Sequence, residues 1–431
     1  MSELRRHLGL FQTTMYGVGL ILGAGIYALI GSATGEAGNS VWVSFILAAM
    51  AAVFTGLSYA ELSSMYPKAA AEYSYTKNAF KNNFVAFLVG WLTLFVAIIS
   101  ASTIALGFGG YFAGLFGAPI LISAILVIVV LSFVNFIGIR ESSSMNVIFT
   151  IIEAAGLGLI IWIGFALFGN SQVDYFEAPH GLMGIFSGFT LVFFAYIGFE
   201  NIANIAEEIR NPKKVLPRAI ILSISITAII YILVSISAIR VLDWQELGSS
   251  IAPLADVVKK ALGPQAQIIL LLIALFATTN TVLIMLLSGS RILYGIARDK
   301  SLPAIFGIIH QGRKTPWAGV IMIGSLAVAF TFAGDISTIA NISVFAIIMV
   351  FIAVNFSLIW LRLKEPQAER PFKVPLNVKN FPILPVLGII TPIVGVIQLD
   401  VYVILMGIGV VLSGAAFYFI YNRIKKTTKV D

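Results

Sequence analysis

The stretch GVGLILGAGIY, residues 17–27, carries Gly17, Gly19, Gly23 and Gly25 inside the first long apolar run of the chain, residues 10–33. Glycine costs a helix interior roughly 1 kcal/mol relative to alanine, so this many in one membrane-length segment demand a reason. Three readings compete. A dinucleotide-binding loop is the weakest, because the spacing is not GxGxxG and no strand precedes it. Close packing is the second: Gly19 and Gly23 form a GxxxG pair that lets helix backbones approach. The third is a helix broken in mid-membrane, whose unwound backbone groups bind a ligand instead of each other.

Around this stretch the chain runs to 431 residues, 59% hydrophobic and only 11% charged. That is too little polar surface to cover a water-soluble globule, and it marks an integral membrane protein. A span of about 30 Å of hydrocarbon needs roughly 20 helical residues. Twelve apolar runs qualify: 10–33, 41–66, 83–115, 119–139, 145–169, 183–207, 217–240, 266–298, 316–333, 336–362, 382–398 and 401–422. Alternating ten-residue strands are absent, so an all-α membrane protein with twelve transmembrane helices is expected. The first run follows Arg5 and Arg6 but is too long for a signal peptide and lacks a cleavage site, so it is read as a retained helix.

The charges orient the chain. Of the 27 Lys and Arg residues, all but Arg240, Lys259 and Lys260 fall on the side that holds both termini. That side is expected to be cytoplasmic, in a multi-pass protein of the plasma membrane. The net charge of +7 then sits beside anionic lipid headgroups, and nucleic-acid binding is not indicated. No cysteine is present, and His7, His180 and His310 all lie between apolar runs. A buried nucleophile–base pair or a cysteine-ligated metal is therefore missing, and neither an enzyme nor a metal or cofactor site is expected. A channel would need a continuous polar lining that these runs do not offer.

The broken-helix reading gains weight from a second segment. In FFAYIGFENIANIAEEIRNPKKVLPRAI, residues 193–220, Gly198 interrupts an apolar run and Glu200 follows at membrane depth. The two segments are first and sixth. An odd number of helices per unit inserts a second copy upside down, so two five-helix units would face each other with their first helices adjacent, around a midplane site.

These segments resemble the amino acid, polyamine and organocation (APC) transporter superfamily. The resemblance is carried by LGAGIY in the first segment, YAELSSMYP after the second and the 193–220 stretch. Further matches are SRILYGIARDKSLP at the end of the eighth, KTPWAGV entering the ninth and RPFKVPL after the tenth. One departure is PKAAAEYSY, with Ala70 and Ala71 where the family usually has two glycines. The resemblance implies a leucine-transporter-type fold: residues 1–170 and 171–365 as inverted repeats of five helices, and 366–431 as two appended helices with a tail. It also implies a site. The substrate carboxylate would meet backbone amides of Ile21, Gly23, Ala24, Gly25 and Ile26; the ammonium would meet carbonyls around Phe194, Ala195, Tyr196, Ile197 and Gly198. Half-helix ends carry the matching partial charges. Ala24 stands where some relatives have a serine, and Phe194 aligns with an aromatic that closes over the substrate.

Charges at membrane depth need a partner or a task, since each costs on the order of 2.5 to 3.5 kcal/mol on insertion scales. Glu153 and Glu200 are the deepest carboxylates. By resemblance Glu153 takes the position of a lysine that, in proton-coupled relatives, stands in for a bound sodium ion. Three roles stay open for it: proton carrier, cation ligand together with hydroxyls such as Ser288, or structural partner. Glu200 either gates or couples transport, or bonds amides freed by the break. Glu61, Glu207, Glu208 and Arg291 are expected to form salt bridges nearer the cytoplasmic ends. Segments three, eight and ten offer no acid for a cationic side chain, which favours a neutral amino acid, with Met285, Phe199 and Ile104 as candidate pocket residues. The expected function is secondary active transport of amino acids by alternating access, coupled to protons, with sodium as second choice. An amino acid or polyamine exchanger, or a non-transporting sensor on the same fold, is the alternative.

Overall fold

The computed structural model describes residues 4–167, 172–250, 252–332, 336–397 and 399–427. Helices follow one another along the chain. The first group is α1 (Leu10–Ala37), α2 (Val41–Met65), α3 (Ala71–Phe80), α4 (Asn83–Phe116), α5 (Ile120–Ile137) and α6 (Ile139–Trp162). Next come α7 (Gly181–Phe193), α8 (Asn201–Asn204), α9 (Pro212–Val241), α10 (Trp244–Ser249), α11 (Pro253–Leu262) and α12 (Pro264–Arg298). The last four are α13 (Trp317–Phe330), α14 (Ile336–Lys364), α15 (Ile383–Ile397) and α16 (Val401–Thr427). A two-residue hairpin, β1 (Asn377–Val378) with β2 (Phe381–Pro382), precedes α15.

Local chemistry sets many of the boundaries. Asn82 caps α4 by accepting from the amides of Phe84 (2.9 Å) and Val85 (3.3 Å), satisfying donors with no partner inside the helix. Pro212 and Pro264 open α9 and α12, where the missing N–H costs nothing.

Among the described residues, ten helical runs are long and apolar enough to cross a membrane, and α13 and α15 are shorter apolar helices. The chain is thus a multi-pass membrane protein. Expected segments nine and eleven correspond to those two shorter helices, so the twelve runs are not equal in length. The end of segment five and the boundary drawn at residue 170 lie outside the described residues. Segment six is not one helix but α7, a turn and α8. The hydropathy reading also passed over α3, α10 and α11, which lie between spans and are too short or too polar to cross.

Two groups of four helices form the interior. In one, α1 and α2 pack on each other and each on α7 and α9; in the other, α4, α5, α12 and α13 all pack on one another. Helix α6 lies along α1, α9 and α12, and α14 along α2, α3 and α4, so both join the groups. The outermost helices, α15 and α16, pack on α2, α4 and α14. Large apolar side chains such as Leu126 and Phe133 on α5 and Leu412 and Phe419 on α16 face outward, as a hydrocarbon surrounding allows.

Candidate functional site

Both glycine-bearing segments are interrupted. In α1 the break is at Gly23, whose φ of −16° and ψ of −150° are not helical. In the second segment α7 stops at Phe193 and a tight turn, Phe194–Tyr196, follows. Ile197 is then extended (φ −65°, ψ 136°), and Gly198 takes φ 138°, a conformation that a Cβ would strain. The helix resumes as α8.

The two interruptions meet. A Cβ on Gly25 would stand 3.0 Å from the Cα of Ala195, and one on Gly198 would stand 2.9 Å from Cγ of Leu20. Residues 21–26 and 194–198 therefore form one locus, where the N-terminal end of the second half of α1 faces the C-terminal end of α7. Phe194 is half-buried and lies edge-on to Phe193, while Tyr196 is buried with its hydroxyl donating to Phe45 O (3.2 Å). The side chain of Ala24 lies outside the described residues. Of the candidate pocket residues, Phe199 is stacked on Phe351 (5.5 Å between ring centroids) and edge-on to Tyr59 (5.8 Å), inside the core between α2 and α14. Met285 is buried on α12, and Ile104 is half-buried on α4.

Tyr231 of α9, which the sequence reading did not single out, joins the breaks. Its buried hydroxyl donates to Ile21 O and lies 3.2 Å from Ala195 O. One hydroxyl proton cannot serve both carbonyls. The second carbonyl keeps a lone pair open to another donor.

Behind α1, the α6–α12 face is polar. A Cβ on Gly19 would collide with Thr150 Oγ1 and stand 2.5 Å from Asn280 Nδ2, and one on Gly23 would stand 2.5 Å from Thr281 Oγ1. The GxxxG pair thus serves close packing and the break together. Asn280 Nδ2 donates to Glu153 Oε1 (3.3 Å) and Thr150 Oγ1 (3.2 Å), and Asn146 Nδ2 donates to Asn280 Oδ1 (3.0 Å). Glu153 is fully buried, and its Oε2, like the nearby Tyr27 hydroxyl, has no hydrogen-bond partner among the described residues. Ser288, expected with Glu153 only as a fellow cation ligand, bonds elsewhere. It lies two helical turns from Asn280 along α12 and donates to Asn201 Oδ1 (2.6 Å).

Glu200 bonds a freed amide: Gly198 N donates to its Oε2 (2.8 Å), and Asn201 Nδ2 donates to its Oε1 (2.9 Å). The remaining acids divide into two kinds. Arg291 makes a two-point contact with Glu208 (Nη2–Oε1 2.7 Å, Nε–Oε2 3.1 Å), both side chains fully buried. Glu61 is held by Arg362 (2.6 Å) and Arg370 (3.0 Å) and also accepts from Val374 N (2.8 Å). Glu207 pairs with Arg298 (2.9 Å). Glu72, Glu153 and Glu200, each buried, face only neutral donors. The expected salt bridges are therefore present, with Arg298, Arg362 and Arg370 as partners that hydropathy alone did not name. The stretch just ahead of α1 joins them: His7 N and Leu8 N donate to Glu208 O (2.8 and 3.0 Å), and Arg210 N donates to Leu8 O (2.8 Å).

The family described as "Amino acid permease" matches residues 8–422. The branched-chain amino acid permease BcaP of Bacillus subtilis (strain 168) is 28% identical over 98% of this chain and 94% of its own length. The methylthioribose transporter of the same bacterium is also 28% identical, over 98% of this chain and 94% of its own. The vacuolar cationic amino acid transporter 4 of Arabidopsis thaliana is 31% identical over 87% of this chain and 65% of its own length. With that match running through both broken helices and nearly to the end of α16, the chain belongs to the amino acid permease family of the APC superfamily.

Proposed function

We propose that the protein carries neutral amino acids into the cell by alternating access, driven by protons. In this reading it spans the plasma membrane twelve times with both termini in the cytoplasm, and residues 1–170 and 171–365 are inverted repeats. The juxtaposed breaks at Gly23–Gly25 and Phe194–Gly198 carry the reading, because they put opposite half-helix ends a few ångströms apart around Tyr231. A zwitterion matches those ends.

Parallels between the halves support the repeat. Each half opens on an interrupted helix, each has short helices between its second and third spans (α3; α10 and α11), and each has its longest helix third (α4, 34 residues; α12, 35 residues). A neutral substrate is supported by the lack of any acid on α4, α12 or α14. For the coupling proton, Glu153 is the candidate: it is buried behind the α1 break and, among the described residues, has one neutral hydrogen-bond donor and no cation bonded to it. Glu200, bonded to the break itself, gates.

The test is uptake of radiolabelled amino acids and polyamines by liposomes containing the purified protein. Acid outside should drive concentrative uptake of a neutral amino acid, and Glu153→Gln should flatten the pH dependence. Uptake confined to preloaded liposomes would overturn proton coupling in favour of exchange.

A further inference from the structure

The buried acid with no task so far is Glu72, in the first turn of α3. Its Oε1 accepts from Tyr59 Oη (3.2 Å) and Asn204 Nδ2 (3.3 Å), while its Oε2 is buried without a partner among the described residues. The same asparagine reaches α3 twice, since Asn204 Oδ1 also accepts from Ala71 N (2.8 Å). Asn204 thus caps α3 from another element: the residue at the cap position, Ala70, offers no side-chain bond and is itself held at φ 53°. That is the left-handed region, costly for any residue with a Cβ. The cytoplasmic half of the second broken helix, α8, therefore grips the strained start of the loop helix through one side chain.

Among the described residues, no cation bonds to Glu72. On α2, Tyr59 faces it and Glu61 is taken by Arg362 and Arg370. On α3 itself, Tyr75 is buried nearby, and Tyr73 and Lys77 turn to Asp299. Glu200, at the start of α8, adds a second uncompensated carboxylate. Beyond α8, Glu207 and Glu208 are paired with Arg298 and Arg291 of α12. Helix α4 carries no charged residue, and Arg362 of α14 is committed to Glu61. Buried in this way, an ionised carboxylate gains little from its neighbours and would gain much from water.

We propose that Glu72 is a proton-binding site on the cytoplasmic side, and that its protonation holds the Asn204 clamp shut while its ionisation favours release of α8 from α3. The proposal rests on alternating access but not on proton coupling through Glu153. Burial pushes the Glu72 carboxyl up to about 7, against the donors Asn204 and Tyr59, which pull it down. The clamped state then binds the proton more tightly than a water-exposed carboxylate does. Acid favours the clamp, and that advantage is lost as the pH rises through about 7. An acidified cytoplasm would slow inward opening.

The chain has no cysteine, so a single thiol reports the opening. Ala203→Cys places it on α8, where the native side chain is fully buried. The full-length protein in lipid nanodiscs is treated with a hydrophilic maleimide at pH 6 and pH 8. The same variant carrying Glu72→Gln corrects for the thiol's own pH response. Labelling in the Glu72 protein should rise about tenfold more between the two pH values than in the Glu72→Gln protein. Equal rises would overturn the proposal. Tyr59→Phe keeps the carboxyl but removes a donor to its charged form, so the midpoint should move to higher pH. An unmoved midpoint would also overturn it, including where Glu72→Gln does not fold. Since no substrate is used, these outcomes stand apart from those of the uptake test.

Discussion

Gly25 and Tyr231 carry the most specific consequences of the geometry. A side chain at Gly25 meets backbone, Ala195 Cα at 3.0 Å, and not the end of a flexible group that can move aside. Gly25→Val should therefore abolish amino acid binding while the protein still inserts and purifies, as radioligand binding on the purified variant would register. Full binding would remove the α1 break from the site. Tyr231→Phe deletes the hydroxyl shared by Ile21 O and Ala195 O and keeps the ring packed edge-on to Tyr196 (5.1 Å) and Phe45 (5.7 Å). A net loss of about 1 kcal/mol, roughly fivefold in substrate affinity, is expected. Ala70, where the family resemblance leads one to expect glycine, is held at φ 53°, the region in which a Cβ is costly.

At the scale of elements, the interruptions divide helices into halves, and buried ion pairs join the segments around them. The Glu208–Arg291 pair ties the tight helical turn after α8, Ala206–Glu208, to α12, and the backbone of the same glutamate receives the amides of His7 and Leu8 ahead of α1. Both broken segments are thus fastened at one place. Glu208→Ala would leave Arg291 buried and unpaired, at a cost of about 3–5 kcal/mol. The expected result is a large fall in the thermal unfolding temperature together with a cytoplasmic side that opens more readily. Thermal unfolding, and labelling of Ala203→Cys in the same background, would measure the two effects. Replacing both partners with apolar residues should recover the stability but not the closure.

Considered as a whole molecule, the two four-helix groups meet along α1, α6 and α12, where Glu153 sits. If one proton accompanies each neutral amino acid, a potential of about 100 mV and one pH unit supply on the order of 3.7 kcal/mol. Accumulation in liposomes should then level off at a few hundredfold and fall when either component of the gradient is collapsed. A plateau at equal concentrations inside and out, under a full gradient, would contradict proton-driven transport.

Much of this was legible in the sequence. Hydropathy alone determined a multi-pass helical protein, because a chain with so few charges has no other way to satisfy its backbone in lipid. The glycines marked both interruptions, since local backbone cost depends on residue type and little else. Which carboxylates are neutralised was decided only in three dimensions. Glu61 and Glu208 find arginines, whereas Glu72, Glu153 and Glu200 find asparagines and a tyrosine. Those partners come from helices up to 301 residues apart in the chain, and no periodicity or spacing encodes such pairings. The convergence of Tyr231 on two carbonyls and the reach of Asn204 to α3 have the same cause: a polar residue in an apolar helix announces a task, and only packing supplies its partner.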